Sequence, residues 1–268
     1  RMSETVAPVA ARPRKPRPRL TSYLLFIGLV AFTVFAANQI GLKWSSFVDM
    51  WTNPLWDRFW PVPWDWVFNR RNVFDPLIET FQIAILSTII GCSLALPIGF
   101  AMSKLTTPST PVFWFSRVVM NIVRAIPDLL WGKLLVTAIG IGAFAGAWAL
   151  TIFSLAVMVK LFSETVDAAD PLPLEAARAA GGRHTPAVRT AVLPQVFPAY
   201  VAYALYVFEL NMRASLVLGL VGAGGIGRVV ETQRSTFNFD RLLGILIIMF
   251  VIVIIIEQIS VAIRKRLV

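Results

Sequence analysis

The chain reads as an all-α integral membrane protein with six transmembrane helices and a short cytoplasmic helix in the loop between the fourth and fifth. Hydrophobic residues make up 57% of its 268 residues and charged ones only 15%, with a mean hydropathy of +0.70. Soluble domains sit far from those values. The apolar residues also gather into runs of about 20, the length needed to cross a bilayer. Between the runs the basic residues fall unevenly, as expected of membrane loops with two different sides.

In chain order, residues 1–19 form a basic tail, Pro- and Arg-rich from Ala7 to Arg19, expected to be disordered and to touch the anionic lipid surface. Leu20 to Ile40 is the first span, within a segment 20–42. Its apolar stretch Tyr23 to Ala37 lacks a small-residue cleavage site, so it is expected to remain as a helix. Segment 43–75 holds Trp44, Trp51, Trp56, Trp60, Trp64 and Trp66, six of the nine tryptophans, interleaved with Pro54, Pro61 and Pro63. Trp favours the headgroup region, where the ring is buried and its N–H stays wet. An interfacial segment on the outer leaflet, broken by its prolines, is therefore expected. A docking lip for an external partner is the alternative.

Residues 76–268 hold the remaining spans, Leu77 to Met102, Ser116 to Gly140, Gly146 to Phe162, Ala191 to Gly219 and Leu242 to Ala262. Leu134 to Val159 carries no charge, so the third and fourth spans are separated in the glycine-rich run from Gly140 to Gly146, which leaves both long enough to cross. Lys and Arg are retained on the cytoplasmic side of short loops. Arg1, Arg12, Arg14, Lys15, Arg17, Arg19, Lys104, Arg178, Arg183, Arg189, Arg264, Lys265 and Arg266 fall on one side, and only Lys43, Arg58, Arg70, Arg71, Arg228, Arg234 and Arg241 on the other. The sequence thus places both termini in the cytoplasm. Dispersal of the net charge of +10 over loop ends speaks against nucleic-acid binding. Cys92 is the only cysteine, so no disulfide forms within the chain.

The polar stretch from Glu164 to Gln195 is unlike the rest. Pro171 and Pro173 suit a first helical turn, Leu174 to Ala180 are good helix formers, and Gly181 and Gly182 supply a C-cap. A helix over about 172–182 is predicted, with Pro186 separating it from the next span. Ala176, Ala177, Ala179 and Ala180 give it a smooth surface, and Glu175 and Arg178 stand at a pairing distance of i,i+3.

The pattern Glu175-Ala176-Ala177, three residues, Gly181, eleven further residues and then Leu193-Pro194 resembles the EAA loop of binding-protein-dependent ABC importer permeases. Ala191 departs from it, since Ile is common two residues before Leu-Pro. The resemblance runs from about Leu77 to the C-terminus and implies a coupling helix that receives force from a separate ATPase. Glu164, Asp170, Glu175, Ala176, Ala177, Arg178, Gly181, Leu193 and Pro194 would form that coupling region, with acidic Glu164, Asp167 and Asp170 closing the preceding helix. Val123 to Trp131 and Phe208 to Ala214, followed by Val221 to Gly227, are most similar to the phosphonate-type permeases. That similarity implies phosphonate, phosphate or phosphite as cargo, with methionine as the family's other small-solute possibility.

Ionisable groups inside a membrane cost roughly 2.5–3.5 kcal/mol each on insertion scales and persist mainly where they face a bundle interior. Arg124, Asp128, Lys133, Glu209 and Arg213 are such groups. Arg124 and Asp128 are expected on one face of the third span, with Pro127 kinking it into a gate, and Glu209 and Arg213 on one face of the fifth. Two roles stand open for these pairs: holding helices together, or guiding an oxyanion through Arg213 and Arg124, whose guanidinium matches its geometry. Asn211 belongs to the same expected pathway, and Lys133 is alternatively expected to snorkel towards headgroups.

Gly222, Gly224, Gly225 and Gly227 satisfy the GxGxxG fingerprint, with Asp240 beyond, but a membrane helix leads in where a strand is required. A close backbone turn at the outer mouth, with N–H groups open to an anion, is the reading preferred here. The chain has no GxxxxGK[ST] motif, so it is expected to bind no cofactor itself, with ATP and Mg held by partner ATPases. One His and one Cys give no metal-ligand spacing. The expected partners are a second copy of the chain, two ATPase subunits and an extracytoplasmic solute-binding protein, with Gly142 and Gly146 a weak helix-contact signal. An ATP-independent secondary transporter is the rival, and it leaves the polar stretch without a purpose. His184 reads as a solvated loop residue or a contact to the ATPase.

Overall fold

A computed structural model of the chain describes residues 20–41, 43–52 and 57–267. The basic tail expected over 1–19 lies outside them, as do Pro54 and Trp56. Residues 1–55 and 56–268 form two separate compact units. The first contains α1 (Leu20–Gln39), apolar all round, and α2 (Trp44–Thr52).

The second unit is helical throughout its described elements. Its long members are α4 (Asp75–Met102), α7 (Ala143–Asp167), α10 (Leu193–Gly219) and α12 (Phe239–Leu267). Shorter ones lie between: α3 (Trp64–Val67), α5 (Thr110–Ala125), α6 (Asp128–Ile139), α8 (Leu172–Ala179), α9 (His184–Ala187) and α11 (Gly225–Ser235). Among the described residues five helical stretches are long and apolar enough to cross a membrane: Ser22–Gln39, Arg70–Met102, Ala143–Asp167, His184–Gly219 and Phe239–Arg266.

The expected third span is therefore not one helix. Pro127 cannot donate a backbone hydrogen bond and forces the residue before it out of the α region. Ile126 is extended, at φ −87° and ψ 121°, and ends α5, after which α6 restarts at Asp128. The expected kink is a full break. The boundary between α6 and α7 does fall in the glycine-rich run, at Gly140 to Gly142.

The core is built around α4 and α7, which pack against each other more extensively than any other pair. A Cβ at Gly91 would stand 2.5 Å from the Ser154 Cβ and 3.0 Å from the Thr151 carbonyl oxygen, so glycine is what lets the two backbones approach. Cys92, Ala95, Met158, Val159 and Val207 fill the centre. Gly146, expected as a helix-contact residue, lies against the Ala223 carbonyl. Segment 62–74 is more than an interfacial strip, because its Val62, Val67 and Val73 are buried with Ile226, Ile245 and Met249 of α11 and α12.

Pro186 does not separate the polar stretch from the next span. It sits in the first turn of α9, where its missing N–H costs nothing. A π-helical turn over Val188–Val192 then carries the chain into α10. Leu193-Pro194 opens α10 at that point. A wide turn tolerates the donor that Pro194 lacks.

Candidate functional site

At one end of the bundle, α8 projects between the C-terminus of α7 and α9. Its single buried residue, Leu174, enters a cluster with Phe162, Val166, Ala187, Val188, Val192 and Val196. Burying one Leu is worth about 1.5–3 kcal/mol, so α8 needs further fastening. Asp170 Oδ1 accepts from the Leu172 N–H at 3.0 Å at the helix entrance. Gln195 clamps the same residue from both sides, accepting from the Asp170 N–H at 3.1 Å and donating to its carbonyl at 3.3 Å.

The exit is glycine-dependent. Gly181 adopts φ +84° and its N–H reaches the Arg178 carbonyl at 3.0 Å, while Gly182 N–H reaches that of Ala177 at 3.0 Å. These bonds satisfy carbonyls that a helix end would otherwise leave open. The helix stops at Ala179, short of the expected 182, and residues 180–182 are its cap. Glu175, Ala176 and Arg178 are exposed, and Ala177 is half-buried.

The expected pairing of Glu175 with Arg178 is absent among the described residues. Arg178 Nη2 instead lies 3.4 Å from His184 Nδ1, and His184 Nε2 lies 2.8 Å from the Thr106 carbonyl oxygen. A carbonyl only accepts, so Nε2 carries the proton and Nδ1 is left to accept from the guanidinium. His184 is thus fastened within the chain and is not the solvated loop residue expected. Glu164 pairs with Lys160. Asp167, noted in the sequence only as an acidic neighbour, is the main junction here. Its Oδ1 accepts from Ser103 Oγ and from the Lys104 N–H, both at 2.6 Å, and its Oδ2 lies 3.6 Å from Arg117 of α5. Nothing in its local pattern marked it, since its partners are more than 45 residues away.

Within the bundle, Arg124 and Asp128 do not share a helix face and form no ion pair among the described residues. Arg124 occupies the last turn of α5 and Asp128 the first turn of α6, each at the end whose dipole it complements. Together with Pro127 and Trp131 they line a cleft of about 260 Å³ against Phe153 and Val157. The Trp131 indole N–H donates across the break to the Val123 carbonyl at 3.3 Å.

Glu209 and Arg213 do pair, one turn apart on α10. Glu209 is 5% exposed and also reaches Arg264 at 3.4 Å, while Arg213 reaches Glu257 at 3.3 Å. Both additional partners come from α12, so four charges form one neutral network across two helices. Asn211 is fully buried and its Nδ2 donates to Thr88 Oγ1 at 2.8 Å and Ser154 Oγ at 2.7 Å. It joins α4, α7 and α10 and leaves its own Oδ1 without a donor among the described residues.

At the opposite end from α8, the glycine run makes the turn between α10 and α11. Gly222 and Gly224 adopt φ +91° and +83°. The Gly142 N–H donates to the Gly222 carbonyl at 2.9 Å, and a Cβ at Gly224 would come within 2.8 Å of the Ala143 backbone. Gly225 lies against Thr80, whose Oγ1 accepts from the Ile226 N–H at 2.8 Å and so caps α11. The turn is thus filled by protein contacts, with α10 leading in and α11 leading out.

Comparison with known proteins agrees with this arrangement. Residues 95–268 match the family model of the binding-protein-dependent transport system inner membrane component. The "Phosphate-import permease protein PhnE" of Mycolicibacterium smegmatis is 37% identical over 239 residues, 85% of this chain but 45% of that protein. The chain therefore spans about half the length of that relative. The "Phosphite transport system permease protein PtxC" of Stutzerimonas stutzeri is 36% identical over 196 residues, 73% of this chain and 71% of that one. Among solved structures, a chain of the inward-facing MetNI methionine ABC transporter superposes with a TM-score of 0.65 at 22% identity, covering 74% of this chain and 96% of that one. That last likeness is one of fold. With its matched region holding α8, Glu209, Asn211 and the glycine turn, the chain belongs to the family of binding-protein-dependent transport system inner membrane components.

Proposed function

We propose that the chain is the membrane-spanning permease of an ATP-driven importer for phosphonate, phosphite or phosphate. In this reading it lies in the cytoplasmic membrane of a prokaryote with both termini and α8 in the cytoplasm. Two copies enclose the path, an extracytoplasmic binding protein delivers the anion, and two separate ATPases bind ATP and Mg. Closure of the ATPases displaces α8 and rocks the bundle between its two openings.

The form of α8 carries this reading. It is a short helix held by one buried Leu174 and the Gln195 clamp, with Glu175, Ala176 and Arg178 turned outward and Glu175 free of any partner among the described residues. A helix with small residues and an unpaired carboxylate outside suits the groove of another protein. Glu164, Asp170, Leu193 and Pro194 support it from behind. The cargo class follows the relatives' names and the guanidinium of Arg124 in the cleft at the break between α5 and α6.

Two measurements test it. In the reconstituted complex with its binding protein, methylphosphonate, phosphite or phosphate should stimulate ATP hydrolysis, and methionine should not. Stimulation by methionine alone would move the cargo to the amino-acid branch of the fold. Glu175→Arg should leave the protein inserted yet uncouple hydrolysis from uptake; uptake that proceeds without ATP would end the proposal in favour of a secondary transporter.

A further inference from the structure

The end of the bundle opposite α8 holds a cleft of about 370 Å³ between the segment following α3 and helix α11. It is lined by Trp66, Arg71, Asn72, Arg228, Thr232 and Gln233, with Val229 at its apolar side. No carboxylate among the described residues lines it. Neither the Arg71 nor the Arg228 guanidinium has a hydrogen bond or ion pair among the described residues. Their neighbours differ, since Arg70 pairs with Asp75 at 3.2 Å and Arg234 with Glu231 at 2.6 Å. Asp75 and Glu231 are thus spent on arginines outside the cleft.

The other polar groups are held in place by their own contacts. Asn72 Nδ2 donates to the Trp66 carbonyl at 3.0 Å, and Thr232 Oγ1 to the Arg228 carbonyl at 2.9 Å. Gln233 is 7% exposed and its Oε1 accepts from Asn238 Nδ2 at 3.3 Å, which fixes the amide and leaves Nε2 as a donor with no partner among the described residues. A third guanidinium, Arg241, stacks on the Trp66 ring with its Cζ 5.0 Å from the centroid, keeping that wall rigid and positive.

Two unpaired guanidiniums and an oriented amide nitrogen, on a tryptophan wall and without a carboxylate, form the donor set of a tetrahedral oxyanion. We propose that this cleft binds a phosphorus oxyanion, retaining it at the mouth of the bundle before passage. The ligand class rests on the importer reading above, whereas binding is an equilibrium property that needs no ATP, so the two fail separately. Free solute and a lipid phosphate share this chemistry, and membrane composition tells them apart.

The test is binding of methylphosphonate, phosphite and phosphate to the full chain in nanodiscs of phosphatidylcholine, followed by calorimetry and phosphorus NMR. We expect saturable binding, weakened about tenfold or more in Arg71→Gln and in Arg228→Gln and abolished in the double variant. Arg71→Lys should lose part of it, because an ammonium keeps the charge without the fork. Arg70→Gln should bind as the unaltered chain does. Unaltered thermal unfolding of the variants shows that the fold is intact. Suppression of free-anion binding in phosphatidylglycerol nanodiscs, with phosphatidylglycerol retained by the unaltered chain and not by the double variant, would identify the lipid phosphate as the oxyanion the cleft takes. Absence of binding in both compositions, or equal binding in the double variant, would overturn the proposal.

Discussion

Glu209 and Asn211 stand two residues apart on α10, about 200° around the helix, and hold it in opposite ways. Asn211 uses neutral hydrogen bonds to two hydroxyls, tying α10 to α4 and α7 at the centre of the bundle. Glu209 uses charge, tying α10 to α12 through Arg213 and Arg264. Neutral bonds inside a bilayer are individually modest, because the partners find alternatives when one is removed. A buried charge has no such alternative. The difference shows how one helix is fixed firmly on one side and more permissively on the other.

The largest effect should come from Glu209→Ala, which strands Arg264 and half of Arg213. We expect a loss of about 3 kcal/mol, read as a lowered midpoint of thermal unfolding in detergent. Asn211→Ala should cost about 1 kcal/mol, and a double-mutant cycle with Ser154→Ala should give a coupling near 0.6 kcal/mol. If the asparagine proved the costlier of the two, the contrast would be inverted. Glu257→Gln should cost less still, about 0.5 kcal/mol, because Glu257 is 45% exposed and Arg213 keeps Glu209.

The smallest effect concerns a charge pair outside the spans. Hydrogen bonds from Arg234 hold the Glu231 carboxyl below its ordinary pKa of 4.5. A depressed carboxylate contributes stability above its unfolded pKa and loses it as pH falls through the folded value. Between pH 5 and 8 the difference in unfolding midpoint between Glu231→Gln and the unaltered chain should therefore stay constant, and it should shrink only below about pH 4.5. NMR titration of Glu231 should give a midpoint below that of a free glutamate.

Much of the membrane architecture was legible because long apolar runs leave few options, and the glycine run from Gly140 announced its own break. The break at Ile126 was not, since a proline within an apolar run predicts a kink as readily as an ending, and only the packing of α5 and α6 decides. The i,i+4 spacing identified Glu209 and Arg213 but gave no sign of Glu257 and Arg264, which approach from 44 and 55 positions along the chain. The same spacing misled at Arg124 and Asp128, whose charges answer to two separate helix ends. For α8, residue types revealed helix and cap, whereas the anchors Leu174 and Gln195 depend on tertiary neighbours, as does the junction at Asp167.

The bond from the Gly142 N–H to the Gly222 carbonyl joins two loops by main chain alone. Its donor and acceptor are present whatever the side chains, so chemical variation nearby leaves it untouched. Its vulnerability is the backbone at Gly222, whose φ of +91° strains any side chain, with Ile141 also standing 3.3 Å from where a Cβ would be. A saturation library across these loops should accordingly keep glycine at position 222 and stay indifferent to polarity at the solvent-facing positions. The loops would behave as a clasp whose tolerance is set by one backbone angle.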